Sequence, residues 1–483
     1  MSEKLQAQVI SGLKWTFLLR ALAQVFTWLS TIIVIRFLSP EDYGLKALVG
    51  IAFSLFIVLS TVAIESIIIR NKDIEQDGVA SIFGVSIILN IALFIISLLI
   101  APLIADYYQQ EILQTVMIVM SFAFIIMPFK SVPFALLARR MEFKKRSLID
   151  LFSAVVSSLI CLGLAYNGAG VWALVVGQLS MIIFQILLYL YYVNWICIPS
   201  FSVPYFRKVF EYGSGVLISA LVWMMCWRLD VFIGGKFLSL EQIGAFAVAL
   251  HLASLPTEKV MPLLNQIAFP AFSKLQDSEK ELKYYFKKSS RLVFSVLFPM
   301  CVILSLTSEY LVSLIFTDKW ENLAVPLSVL ALAVPFKALI TMYVPIYNAV
   351  GKPKVSMTNG IISSVIFSVS IFVGVQFGLL GLCFSWLVAA PITYLFIHYQ
   401  YSKIFSSDFF QGVNFILLPS VIGLIFFYFY DWVVNNIFVG VIEGFLLFLV
   451  TILSVCVVYL LSYALFDKPS FNELQSFSRR MVK

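Results

Sequence analysis

Long apolar runs, broken by short polar turns, follow one another along the whole chain. They lie near residues 13–38, 44–69, 79–101, 111–129, 148–166, 170–193, 209–235, 243–267, 290–316, 323–346, 355–376, 379–400, 411–430 and 437–465. A helix that crosses a bilayer needs about 20 mostly apolar residues, so the pattern predicts an all-α integral membrane protein of about fourteen transmembrane helices. The breaks carry turn-forming residues, as in SPEDYG at 39–44, YNGAGVW at 166–172, NAVGKPK at 348–354 and QFGLLG at 376–381. No break is long enough to hold a soluble domain.

Composition agrees. Hydrophobic residues make up 61% of the 483 positions and charged residues 12%, against roughly 45–50% and 25% in soluble domains. A soluble fold of this size would need more polar surface than that. Met1 to Gly12 is polar and amphipathic, and no small-residue cleavage site follows the first apolar run. It reads as an interfacial segment before a true first helix.

The charge pattern gives the orientation. Of the 33 Lys and Arg residues, 25 fall on one side of the predicted membrane. Four (Arg36, Lys46, Lys236 and Lys319) fall on the other, and four lie inside spans. Such an asymmetry puts both termini in the cytoplasm and supports an even number of spans. It also explains the net charge of +7 as a topology signal, which removes the case for nucleic acid as a partner. The six cysteines form no CxxC pair and lie mostly within apolar runs, as packing residues do. The two histidines, His251 and His398, are too far apart in sequence for a His-cluster metal site. Neither a metal nor a cofactor is expected, and the sequence contains no Walker A motif.

The chain repeats itself once. RFLSPEDYG at 36–44 and KFLSLEQIG at 236–244 share a basic residue, FLS, a Glu and a closing Gly at an offset of 200 positions. Each copy joins an odd-numbered span to the next, on the outer side. Copies six spans apart keep the same orientation, so the repeat implies two parallel six-helix lobes. The expected organisation is 1–195 (spans 1–6), 196–402 (spans 7–12) and 403–483 (spans 13 and 14 with a cytoplasmic tail). Parallel repeats about an axis along the membrane normal belong to one class of alternating-access transporter.

Several segments carry a family resemblance: LKWTFLLRALAQ at 13–24, RFLSPEDYGLKAL at 36–48, PFALLARRMEFKKRS at 133–147, GAGVWALVVGQL at 168–179, RLDVFIGGKFLSLEQIGAFAVA at 228–249, NQIAFPAFSKLQ at 265–276, TDKWENLAVPLSVLAL at 317–332 and NAVGKPK at 348–354. Together the chain resembles the polysaccharide exporters of the MOP (multidrug/oligosaccharidyl-lipid/polysaccharide) flippase superfamily. Within it, the chain is most similar to the bacterial flippases for lipid-linked oligosaccharide repeat units. The last two spans match only in hydrophobicity. Glu65, in VAIESIIIRNKD, stands where this family often has a small residue, so its role is not inherited. The resemblance implies the cytoplasmic (inner) membrane of a bacterium. It also implies a substrate in which a polyprenyl diphosphate carries an oligosaccharide, and a role in exopolysaccharide, O-antigen or capsule synthesis beside other polysaccharide assembly proteins. Two basic stretches, 139–147 and 273–291, lie on the cytoplasmic side. They read either as surface helices on anionic lipid or as recruiters of a diphosphate headgroup.

Ionisable groups inside a span cost roughly 2.5–3.5 kcal/mol each on insertion scales, which makes them candidates for function. Arg20, Arg228, Lys259 and Lys337 are the basic ones; Glu65, Asp230, Glu258 and Glu309 are acidic. Arg20 and Glu65 sit on neighbouring spans near the cytoplasmic end. They could form a lobe-fixing ion pair, or a cavity site where Arg20 binds diphosphate and Glu65 competes. Arg228 and Asp230 diverge by about 200° on a helix and cannot pair with each other. Glu309 is a possible partner for Arg228, and the family resemblance implies that the RxD positions face the central cavity. Glu258 and Lys259 lie next to Pro256 and Pro262, and Lys337 beside Pro335, a setting suited to kinked, substrate-lining helices. The expected substrate-binding set is thus Arg20, Arg228, Lys259, Lys337 and Asp230. Coupling to an H+ or Na+ gradient would run through Glu65, Asp230 or Glu258. His251 reads as a packed histidine or a proton relay. Two rivals to the flippase reading remain, a drug/cation antiporter of the same superfamily and a membrane glycosyltransferase or polymerase. A cationic drug would want a net acidic cavity, and an enzyme would want larger outer loops.

Overall fold

The computed structural model describes residues 19, 22–24, 26–70, 76–193, 197–201, 217–274, 278–436 and 445–481. Every regular element among them is helical. In chain order these are α1 (Leu22–Phe37), α2 (Pro40–Arg70), α3 (Gln76–Tyr108), α4 (Glu111–Ile126), α5 (Pro128–Arg139), α6 (Phe143–Tyr166) and α7 (Val171–Val193). They continue with α8 (217–226), α9 (Leu229–Phe237), α10 (Leu240–Lys274), α11 (Glu279–Leu306), α12 (Ser308–Ile315) and α13 (Ala324–Ala349). The last are α14 (Pro353–Gly374), α15 (Gly378–Ile404), α16 (Phe409–Asn436), α17 (Phe445–Phe466) and α18 (Lys468–Met481). Among the described residues, ten helical stretches are long and apolar enough to cross a membrane, and the bent pair α4–α5 makes eleven. One stretch, Pro353–Ile404, holds both α14 and α15. Each apolar run read from the sequence has a helical segment over it. The all-α membrane fold expected from the sequence is the one observed among the described residues.

Three local departures from simple spans matter. The fourth span bends by 48° between α4 and α5, where Pro128 opens α5 without a backbone N–H and Pro133 follows inside it. The seventh span is broken: Arg228, with φ −122° and ψ −2°, separates α8 from α9. The two basic stretches are not separate surface helices. Arg139 ends α5, a tight turn follows, and Phe143 already starts α6. Residues 279–291 are the first turns of α11, which runs on into the membrane.

The chain divides into two compact units, Met1–Gly244 and Ala245–Lys483. In the first, α2 is the hub and packs on α3, α4, α5, α7 and α9, while α6 and α7 form a hairpin. A core cluster joins Ile64 and Ile68 of α2 to Ile82 and Phe83 of α3, Val132 of α5, Ile149 of α6 and Tyr189 of α7. Polar side chains inside this bundle are paired: Ser60 of α2 donates across to Asn90 Oδ1 of α3 at 2.7 Å, and Asn90 Nδ2 donates to the Ser86 carbonyl of its own helix at 2.9 Å. Residue Ser200, in the connection beyond α7, is fastened to α3 through the Ala80 carbonyl at 3.2 Å and the Ser81 hydroxyl at 3.0 Å.

In the second unit α13 is the hub, packed against α11, α12, α14 and α15; α11 also holds α16, α17 and α18. The last two spans, matched by the family only in hydrophobicity, are held by specific bonds. His398 of α15 is buried between Tyr343 and the start of α16. Its Nε2–H donates to the Phe409 carbonyl at 3.2 Å, so Nδ1 is the acceptor for the Tyr343 hydroxyl at 2.8 Å. Tyr394 donates to the Gly412 carbonyl at 3.1 Å, and its ring stacks on His398. Further on, Tyr459 of α17 donates to the Pro419 carbonyl at 3.0 Å and Tyr463 to the Ser295 carbonyl at 3.4 Å. The terminal helix α18 is clasped to α11 by the Arg291–Glu473 ion pair at 3.5 Å. Burial pushes the Glu473 carboxyl above the ordinary carboxylate range, against the pull of Arg291.

The His398 contacts make a direct test. His398→Leu removes both hydrogen bonds and strands the Phe409 carbonyl and Tyr343 hydroxyl, a loss of about 1–3 kcal/mol for each buried group left unpaired. The thermal midpoint of the detergent-purified protein should fall by several degrees. Gly412→Ala should act the same way, because its Cβ would overlap the His398 ring. Unchanged midpoints in both would show that α16 is held by other contacts.

Candidate functional site

The first unit contains a group of charged residues that sequence reading scattered between a span and cytoplasmic loops. Glu65 comes from the last turns of α2 and Lys130 from the first turn of α5. Arg146 and Asp150 come from the first two turns of α6, while Gln185 and Tyr189 come from α7. Helix direction explains the gathering. By the charge pattern, α2, α5 and α7 all end at the cytoplasmic side and α6 begins there, so these positions fall at similar depth.

The electrostatics are mutual. Arg146 and Lys130 are the cations whose fields act on Glu65, and Asp150 and Glu65 are the anions that act on Lys130. Gln185, which is buried, donates from Nε2 to Asp150 Oδ1 at 3.2 Å. The Arg146 guanidinium carbon lies 3.9 Å from the Phe134 ring centre, a cation–π contact. The Tyr189 hydroxyl faces Arg146 and is fully enclosed. The four charged side chains are only half-buried, two of each sign. A group with balanced charges is tolerated in a low dielectric, and one stripped of a partner is not. Neutralising Glu65 therefore leaves Lys130 and Arg146 facing the single carboxylate of Asp150, and the group becomes net positive.

The expected site residues fall out as follows. Arg20 lies outside the described residues, and so does its expected pairing with Glu65; the described cations acting on Glu65 are Arg146 and Lys130. Arg228 and Asp230 flank the break in the seventh span instead of projecting from one continuous helix. Asp230 is 2% exposed and its Oδ1 accepts from the Val231 N–H at 2.6 Å, in the first turn of α9, where the helix dipole favours a carboxylate. Glu258 is exposed on α10, which is helical from Leu240 to Lys274 through both Pro256 and Pro262. The Lys259 side chain lies outside the described residues. Lys337 places its ammonium 5.3 Å from the Trp386 ring centre inside the second unit. Glu309 opens α12, and His251 is exposed on α10.

Lys130, Arg146 and Asp150 were missed for a plain reason. The charge pattern counts the first two as cytoplasmic, and that accounting says nothing about which way a side chain near a helix end points. The 48° bend before Lys130 and the immediate start of α6 after Met141 turn them into the bundle.

The fold is that of an all-α multi-span membrane protein, and the comparisons give its family. Residues 33–325 match the model of the polysaccharide biosynthesis protein family, and this chain belongs to that family. The lipopolysaccharide biosynthesis protein WzxC of Escherichia coli (strain K12) is 23% identical over 428 residues, covering 87% of this chain and 86% of its own. The succinoglycan biosynthesis transport protein ExoT of Rhizobium meliloti (strain 1021) is 22% identical over 400 residues, covering 81% and 80%. Among solved structures, the lipid II flippase MurJ in an inward closed conformation superposes with a TM-score of 0.74 at 16% identity, over 95% of this chain and 99% of its own.

Charge balance in the first unit predicts non-additive behaviour. Lys130→Met should destabilise the purified protein by up to about 3 kcal/mol, because it strands carboxylates in a poorly solvated site. Adding Glu65→Gln should restore most of that loss. Thermal midpoints of the two single variants and the double variant measure the coupling; strictly additive shifts would show that these charges do not interact.

Proposed function

We propose that this protein is a flippase that carries a polyprenyl-diphosphate-linked oligosaccharide from the cytoplasmic to the outer leaflet of the bacterial inner membrane. The oligosaccharide is a repeat unit for exopolysaccharide, O-antigen or capsule synthesis. Membership of the polysaccharide biosynthesis family, on a fold shared with a lipid II flippase, carries the reading. The chemistry is consistent with it. A dianionic diphosphate and a glycan are both prohibitive to move through hydrocarbon, while fixed cations and polar groups along a protein path remove that cost. Alternating access of the two repeat copies, 1–195 and 196–402, would expose the path to each side in turn, and 403–483 would add the last two spans and the tail. Both termini are cytoplasmic in this reading, and the polysaccharide assembly proteins that supply and consume the repeat unit are its partners.

Lys130 and Arg146 are the cations best suited to receive a diphosphate from the cytoplasmic leaflet, joined by Arg20, Arg228, Lys259, Lys337 and Asp230 along the path. Glu65 is the natural coupling group, since protonation there removes a carboxylate that acts on both cations and deprotonation restores it. Asp230 and Glu258 are the further coupling candidates, for H+ or Na+. A drug antiporter of the same superfamily is the less favoured reading, because the family matched is one of polysaccharide synthesis.

A strain lacking the protein should accumulate lipid-linked oligosaccharide in the cytoplasmic leaflet and lose the surface polysaccharide. Lipid extraction with leaflet-selective glycan labelling measures this, and normal surface polysaccharide without accumulation would refute it. Returning the Arg146→Ala variant should restore less than a tenth of the export, whereas Glu65→Gln should export with a weakened dependence on external pH.

A further inference from the structure

The first turns of α11 carry Lys280, Lys283, Lys287, Lys288 and Arg291, and these cations are not equivalent. Lys280 is exposed, and Lys283 pairs with Glu279 of its own helix at 2.6 Å. The acids of α11, Glu279 and Glu281, lie too early in the helix to reach the other three. Lys287 and Lys288 stand four and three residues before Arg291, so the three share one face. All three are half-buried, because α18 packs against α11. The Tyr463 bond to the Ser295 carbonyl, one turn beyond Arg291, fixes the end of α17 at this level and sets α18 over the basic face. Both sequence readings of 273–291 assume an open basic surface, and the structure closes its inner part.

The anions that act on this face are Glu473, Asp467 and Asp408. Two of them are committed elsewhere. Asp467 accepts the Ser470 N–H at 3.2 Å with Oδ1 and the Ser470 hydroxyl with Oδ2, which caps α18. Asp408 is exposed, and its Oδ1 accepts the Phe410 N–H at 3.0 Å at the start of α16. Glu473 is the carboxylate in ion-pair contact with Arg291, and the fit is loose. Its Oε1 lies 3.5 Å from Nη1, beyond the roughly 2.7–2.9 Å of a charge-assisted hydrogen bond. The two side chains are only 17% and 14% exposed. The Arg291 Nε is buried and has no hydrogen-bond partner. A guanidinium offers five donors in a rigid planar fork, and here the edge that holds Nε is shut in and unpaired.

We propose that the α11 face of Lys287, Lys288 and Arg291 binds the phosphate of a lipid headgroup, and that α18 closes this site with Glu473 as its resident counter-anion. The site is independent of the flippase reading. Two oxygens of one phosphate match the Nε and Nη edge of a guanidinium, the edge that Glu473 leaves unpaired. Lys287 and Lys288 add charge one turn earlier in the helix. Arg291 is the last charged residue of α11 before its apolar run, so the face lies at the membrane surface, where anionic headgroups gather around basic residues. Burial disfavours the Glu473 carboxylate, and its exchange for a phosphate removes that opposition. The cover is built to lift. Asp467 and Ser470 cap α18 from within its own first turn, so the helix end stays satisfied when α18 parts from α11.

The test titrates the full-length chain in a neutral detergent with phosphatidylglycerol and, separately, with a short prenyl diphosphate. Native mass spectrometry reads the bound lipid. Glu473→Gln should bind about tenfold more tightly than the parent, and adding Arg291→Gln should remove the gain. Thermal midpoints close to that of the parent show that the variants are folded. A gain for both lipids assigns the site to the phosphate they share. A gain for phosphatidylglycerol alone assigns it to bulk lipid, and one for the prenyl diphosphate alone to the transported carrier. A gain for neither would overturn the site, as would a gain that survives Arg291→Gln. If Glu473→Gln fails to fold, the parent decides. Either lipid, added to phosphatidylcholine vesicles that hold the protein, should speed amide hydrogen exchange in α18 about fivefold. Exchange unchanged by both would overturn the proposal.

Discussion

A polar group that leaves water inside a bilayer must find its partner within the protein, and the architecture of this chain follows from that constraint. It is why every described element is helical, with backbone bonds closed inside each segment. It is also why the exceptions are informative. The break at Arg228 and the bend at Met127 both stand next to charged side chains. Buried hydroxyls and amides, such as Ser60 with Asn90, bond to one another across helices. In the second unit, tyrosine hydroxyls and His398 reach carbonyls at Phe409, Gly412, Pro419 and Ser295. These bonds lock α16 and α17 where hydrophobicity alone gives no preferred register, since lipid is as apolar as another helix.

The same constraint shapes the candidate site. Glu65, Asp150, Lys130 and Arg146 coexist because their charges cancel and because Gln185, Tyr189 and Phe134 supply contacts around them. A balanced group of this kind can be purely structural. Its only partial burial gives it a second property, that removing one negative charge changes its affinity for an anion. Coupling of an ion gradient to a diphosphate needs just such an exchange.

The internal repeat becomes a contact in the structure, because Gly44 and Gly244 each lie against the backbone of the other copy with no room for a Cβ. Two hairpins of common design, capped by Ser39 with Asp42 and by Ser239 with Gln242, meet at equivalent residues. Contacts between equivalent positions of two repeats are self-complementary, as at a two-fold interface. One small residue per repeat then suffices for both sides of the contact.

The chain's hydrophobic periodicity determined the membrane class and the helices, because each is a property of local composition summed over many residues. The family motifs were legible for the same reason. Sequence also singled out Glu65 and Asp230 as intramembrane acids. What it could not supply was who faces whom. The cations acting on Glu65 are Arg146 and Lys130, which by position count as loop residues. Only the bend at Met127 and the tight turn before Phe143 aim them inward. Arg228 and Asp230 separate at a helix break that carries no proline to announce it. Gly44 and Gly244 were visible as the closing letters of a repeat, and tertiary structure alone made them a contact. Partners distant in sequence are fixed by packing and helix bends, which depend on the whole bundle and not on any one segment.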